Sequence, residues 1–174
     1  LLENMEHPYF IMTQPGTSMI KDKLTDFEEL LGDSVIFETS ISGMLTLLQQ
    51  QPEKPVIGLF SPHNALKLLV QALDANLPII SKTRFVLDEI HERHVNVDVL
   101  IAKLSELTYE PENQFPFQVL MMSATPDPRV LHCFSKEVKL LNLADSQLFP
   151  IEDIKVVADT LDDLNNVAVE HTYN

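Results

Sequence analysis

The 174-residue chain carries one cysteine, four glycines and twelve basic residues. Each scarcity closes something off. A lone Cys133 excludes an internal disulfide, which fits a reducing, intracellular setting such as cytoplasm or nucleus. Gly16, Gly32, Gly43 and Gly58 are each followed by a residue other than lysine, so no G-x-x-x-x-G-K-[ST] phosphate cradle occurs within these residues. No apolar run reaches the ~18 residues that would suggest a membrane span. Nothing resembles a signal peptide, and Leu1-Leu2-Glu3-Asn4 begins as if mid-chain. The twelve cations face 26 carboxylates, for a net charge of −14. A free-standing nucleic-acid binder usually carries a basic footprint. Here phosphates are repelled at long range unless the few cations cluster.

The length suits one domain with a substantial core, and 45% apolar residues are ordinary for a globular protein. Periodicity predicts alternating strands and helices. Strands are expected at Tyr9 to Met12, Ser34 to Glu38, Val56 to Phe60, Arg84 to Leu87, Gln118 to Met122 and Val138 to Leu143, with a short one at Ile79-Ile80. Helices are expected from Ser18 to Leu31, with Gly32 as cap, from Ser40 to Gln51, from Pro62 to Leu73, from Val97 to Leu107, and from Pro128 to Phe134 behind an Asp127 N-cap. Glu110 to Phe117 reads as a surface loop. This alternation predicts an α/β domain with a mainly parallel sheet. The domain is expected over 1–152, with 153–174 a linker or the start of a second one.

Two apolar strands end in polar motifs. Phe85-Val86-Leu87 runs into Asp88-Glu89-Ile90-His91-Glu92-Arg93, and Val119-Leu120-Met121-Met122 runs into Ser123-Ala124-Thr125. A parallel sheet puts both motifs at the strand carboxyl ends, where open α/β sheets bind ligands. The bland readings stand beside this. An Asp-Glu pair at a strand end is usually a solvated turn, and Ser-Ala-Thr alone carries little. Glu92-Arg93 reads as a local ion pair, His94 as a surface residue, His63 as a helix-start histidine. Cys133, among Val130, Leu131 and Phe134, reads as a core residue. His7, His132 and His171 show no metal-site spacing.

The pairing of D-E-x-H with S-A-T resembles the DExH branch of superfamily 2 helicases, particularly the DEAH-box RNA helicases. Ile11-Met12-Thr13-Gln14-Pro15 resembles that family's T-Q-P segment, Phe149-Pro150-Ile151-Glu152 its F-P-V-E exit from the first domain, and Ser61-Pro62-His63-Asn64-Ala65-Leu66 falls where its T-D-G-M-L would. The resemblance spans roughly residues 9 to 155 and implies a RecA-like fold with helices on both faces. It implies ATP and Mg2+ as nucleotide and cofactor. Asp88 would hold the magnesium through water, since Mg2+ keeps several waters. Glu89 would orient and deprotonate the attacking water, His91 would sense the nucleotide, and Ser123, Ala124 and Thr125 would hydrogen-bond toward the D-E-x-H loop and couple hydrolysis to movement. Thr13, Gln14, Pro15, Gly16, Thr17, Ser61 and His63 would contact nucleic acid.

The implied function is part of an ATP-dependent helicase, working with a second RecA-like domain of the same protein on single-stranded RNA or DNA, RNA favoured. Helicases can spread their basic groove over several domains, which accommodates the acidic charge. The family's phosphate cradle lies just before T-Q-P, so its absence fits a fragment; the alternative is a non-catalytic helicase-like scaffold that binds a protein partner. Three details depart from the family. Gly16-Thr17-Ser18 stands where basic residues usually follow T-Q-P, Ile90 replaces a small alanine, and Pro126 follows S-A-T where the family has Leu or Met. They suggest a divergent member, with a viral source as one option.

Overall fold

The computed structural model describes residues 8–77, 82–109, 117–125, 127–134 and 138–141. The chain divides into two units, Leu1–Val138 and Lys139–Asn174. The first holds every described element. In the second, only 139–141 are described, so the F-P-V-E resemblance and the tail from 153 lie outside the described residues, as do Ile79-Ile80 and residues 110–116.

Five strands form one all-parallel sheet: β1 (Tyr9–Thr13), β2 (Ile36–Glu38), β3 (Val56–Phe60), β4 (Thr83–Leu87) and β5 (Gln118–Met121), in the order β2-β3-β1-β4-β5. The helices between them are α1 (Thr17–Leu31), α2 (Ile41–Gln50), α3 (Pro62–Asp74), α4 (Val95–Tyr109) and α5 (Pro128–Leu131). Parallel strands need such crossovers, and the fold is the α/β, RecA-like arrangement with helices on both faces.

Strand alternation sorts the apolar residues between the faces. Tyr9, Ile11, Val56, Phe60, Phe85 and Leu87 point toward α2, α3 and α4, where Met44, Leu48, Leu68, Leu69, Leu100 and Leu104 are fully buried. Phe10, Ile57 and Leu59 point the other way, onto Ile20, Leu24, Phe27 and Leu31 of α1. The helix ends follow local chemistry. Gly32 closes α1 at φ 51, a left-handed angle that suits glycine. Ser40 caps α2 by accepting from the Gly43 amide. Gly43 also leaves room for the Glu38 carboxylate, which accepts from the Thr39 and Ser40 amides at 2.8 and 2.7 Å. Ser61 caps α3, with Pro62 at its first position.

Two expectations fail here. Val138 to Leu141 forms no strand: no described strand pairs with it, and without a ladder an apolar run does not become β structure. Cys133 is exposed rather than in the core, because α5 stops at Leu131 and the turn after it carries Cys133 outward.

Candidate functional site

All five strands run the same way, so β1, β3, β4 and β5 deliver Gln14, Ser61, Asp88 and Met122 to one edge. The chain leaves β1 for α1 on one face and leaves β4 for α4 on the other. That divergence is a topological switch point, where such sheets open a crevice for ligands. Gln14 and Asp88 stand at its two sides.

Beyond the last ladder rung, Met122 holds the D-E-x-H loop at both ends. Its amide donates to Leu87 O at 2.8 Å, and its carbonyl accepts from the Ile90 amide at 3.1 Å. Asp88 and Glu89 are bracketed between these bonds and pushed out past the sheet. Glu89 takes a left-handed backbone at φ 53, ψ 39. A non-glycine residue there costs on the order of 1 kcal/mol or more, and such strain persists only where the surroundings impose it. After Glu89 the chain makes a 3-10 turn, Ile90–Glu92, pinned by the buried Ile90.

The Asp88 carboxylate is held by two donors. Gln14 Nε2 reaches Oδ2 at 2.7 Å, and the Glu89 amide reaches Oδ1 at 3.0 Å. His91 Nδ1 lies 3.3 Å from Glu89 Oε2, yet it has no hydrogen-bond partner of acceptable geometry. The two groups are electrostatic neighbours, attracted when the imidazole carries a proton, and not a bonded pair.

Beside them lies a cleft of about 210 Å³ lined by Ile90, His91, Arg93, Ser123, Thr125, Asp127, Arg129 and Val130. Arg93 forks onto Asp98, with Nε and Nη2 both at 3.1 Å, and reaches Asp127 through Nη1 at 2.9 Å. It thereby ties the D-E-x-H loop to the start of α5. The hydrogen bond to Asp98, then its charge, raises the Arg93 pKa. Asp127 caps α5 through the Arg129 amide at 2.9 Å. The Arg129 side chain, followed by that amide, lowers the Asp127 carboxyl to about 2. Both arginines of the cleft are thus engaged with carboxylates.

The structure brings Asp88, Glu89, His91, Ser123, Ala124 and Thr125 to one edge and alters several assignments. Ser123 and Thr125 bond to each other, Ser123 Oγ donating to Thr125 O at 2.8 Å and accepting from its amide at 3.2 Å. The tie to the D-E-x-H loop runs through the Met122 backbone instead. Thr13 and Gln14 are buried, 1% and 0% exposed, because β1 is flanked by two strands. Their side chains are therefore withdrawn from direct contact with a nucleic acid, while Thr17 and His63 are exposed and Pro15 and Gly16 half-buried. Ser61 spends its hydroxyl as an acceptor for the Asn64 amide. Glu92 pairs with His94 at 3.2 Å rather than with Arg93, whose left-handed backbone turns it toward Asp98 and Asp127. The Gln14–Asp88 bond and the Arg93–Asp98–Asp127–Arg129 chain were not anticipated. They join residues up to 74 positions apart, and no local pattern announces them.

Asp88 suits a hydrated cation. Each of its oxygens keeps lone-pair capacity beyond its one donor, and Gln14 Oε1, buried in the same contact, has no partner and could accept from a metal-bound water. Among the described residues no group of three or more His, Cys, Asp or Glu could hold a metal by itself. Further ligands would come from water or from a bound phosphate. Among the described residues no helix is long and apolar enough to cross a membrane. No family model and no curated protein matches the chain.

Proposed function

We propose that this chain is a piece of the first RecA-like domain of an ATP-driven DExH helicase acting on single-stranded nucleic acid, RNA by preference. One observation carries the reading: Met122 brackets Asp88-Glu89 at the carboxyl edge of a parallel sheet, beside Ser123–Thr125. Two motifs that match the family in sequence are thereby joined in space. Function rests on this site and not on the fold, which serves many chemistries.

In this reading Asp88 would hold Mg2+ through water, and the bound ion would supply charge neutralisation at the phosphates. Glu89, half-exposed at the tip of its strained loop, orients a water and takes its proton as the water oxygen attacks the terminal phosphorus. The bond from that phosphorus to the bridging oxygen breaks, leaving ADP and phosphate. His91, beside Glu89, registers the carboxylate's occupancy and passes it toward a second RecA-like domain. At the nucleic-acid side, α1 opens at Gly16 without a side-chain cap. Its first amides suit backbone phosphates, in place of the basic residues that usually follow T-Q-P in the family.

The net charge of −14 favours a second reading, a non-catalytic scaffold whose acidic surface meets a basic protein. ATP hydrolysis by the full-length protein, with and without single-stranded RNA, separates the two. RNA-stimulated hydrolysis that disappears in Glu89→Gln supports the motor. A folded protein with no hydrolysis leaves the scaffold.

A further inference from the structure

We infer that Gln14 is a positioning residue for the metal-holding carboxylate of Asp88 and not a nucleic-acid contact; the inference rests on the assignment of Asp88 as the metal-holding group. Gln14 is 0% exposed, although it follows the last residue of a strand and faces a carboxylate. Its side-chain nitrogen donates to Asp88 Oδ2 at 2.7 Å, and its backbone amide donates to Phe60 O at 2.9 Å. One residue therefore ties the ends of β3, β1 and β4 together. Only the nitrogen end of the amide can donate to a carboxylate, so the amide orientation follows. That leaves Oε1 buried and unpartnered. A buried acceptor without a protein donor calls for a donor from a bound water or a hydrated ion. Waters on a hydrated cation are donors, and they would satisfy it.

The arrangement does two things. It fixes the Asp88 rotamer with a charge-assisted bond, leaving the outer lone pairs of the carboxylate for the ion. It also connects that carboxylate to the loop Pro15–Gly16 and the start of α1 through the backbone that follows Gln14.

The test uses the 15N-labelled full chain with Mn2+ alone as probe. The side-chain amide resonances of Gln14 should move in Asp88→Asn and broaden on Mn2+ addition. In Gln14→Met, which keeps length and apolar volume, the Mn2+ concentration that broadens the Glu89 amide should rise roughly 10- to 100-fold, as for other partners of metal ligands. Single-stranded RNA affinity should stay unchanged. A purely structural glutamine would lower the melting temperature without moving the Mn2+ response, and that result overturns the inference. So would weaker RNA binding with an unaltered Mn2+ response. Should Gln14→Met fail to fold, the wild-type amide decides alone: resonances indifferent to both Asp88→Asn and Mn2+ refute the role. A chain that hydrolyses no ATP yet keeps the Mn2+ signature loses the helicase reading and retains this one.

Discussion

The centre of the sheet and its β5 edge carry the two halves of the site on different foundations. β1, β3 and β4 are each paired on both sides, and most of their residues are buried. β5 pairs with β4 alone among the described residues, and its side chains alternate between exposed and half-buried. Leu120 is 55% exposed on the face where α1 is the one described helix, packed toward the other end of the sheet. Asp88-Glu89 thus grow from a rigid, fully packed strand, whereas Ser123–Thr125 grow from a thinly covered one and close on themselves. Chemistry that needs fixed carboxylates belongs on the first, because misplacement weakens catalysis steeply. Under the proposed function, a segment that changes position during a cycle would sit on the second, since mobile parts come from the least stable regions.

The largest effect should come from truncating the centre. Phe85→Ala empties a fully buried site and removes an edge-to-face contact with Phe117, and should cost about 3–5 kcal/mol. Leu120→Ala at the β5 edge should stay within about 0.5 kcal/mol. Urea unfolding of both variants checks the contrast, and equal losses would show that the edge is as well packed as the centre.

Ser61→Ala removes the α3 cap and should cost about 1 kcal/mol. If Ser61 instead serves a nucleic acid, the loss will appear in RNA affinity with the melting temperature unchanged. Glu89→Gly relieves a left-handed backbone and should stabilise the fold by roughly 0.5–1 kcal/mol, while under the proposed function hydrolysis by the full-length protein should be lost. A destabilised Glu89→Gly would mean that the loop carries no strain.

The smallest effect concerns Asp127. Its folded pKa of about 2 lies below the ordinary 3.8, so its contribution is present above 3.8 and lost as pH falls through about 2. Thermal melts of wild type and Asp127→Asn should differ slightly above that window and converge within it. The gap will be small, because the group is solvent-screened and its partner Arg129 is 84% exposed. A gap that persists at low pH would place the stabilisation elsewhere.

Much of the fold was legible locally. The apolar runs at Tyr9, Val56 and Arg84 read as strands, Gly32 as a helix stop, Pro62 as a helix start and Asp127 as a cap, because each of these signals acts within a few residues. Val138 to Leu141 failed for the opposite reason. A strand exists only with a partner, and hydropathy alone supplies none. Arg93 was misjudged because its neighbour in sequence, Glu92, is not its neighbour in space once the backbone turns left-handed.

The sequence by itself determined the alternating elements, the parallel sheet and the delivery of Asp88-Glu89 and Ser123–Thr125 to one edge, because hydrophobic period is local and a helix between two strands returns the chain in the same direction. Only the tertiary structure decided which groups meet there: Gln14 with Asp88, Arg93 with Asp98 and Asp127, and Met122 with Leu87 and Ile90. Those contacts depend on strand order, and strand order is settled by how the helices cover both faces at once.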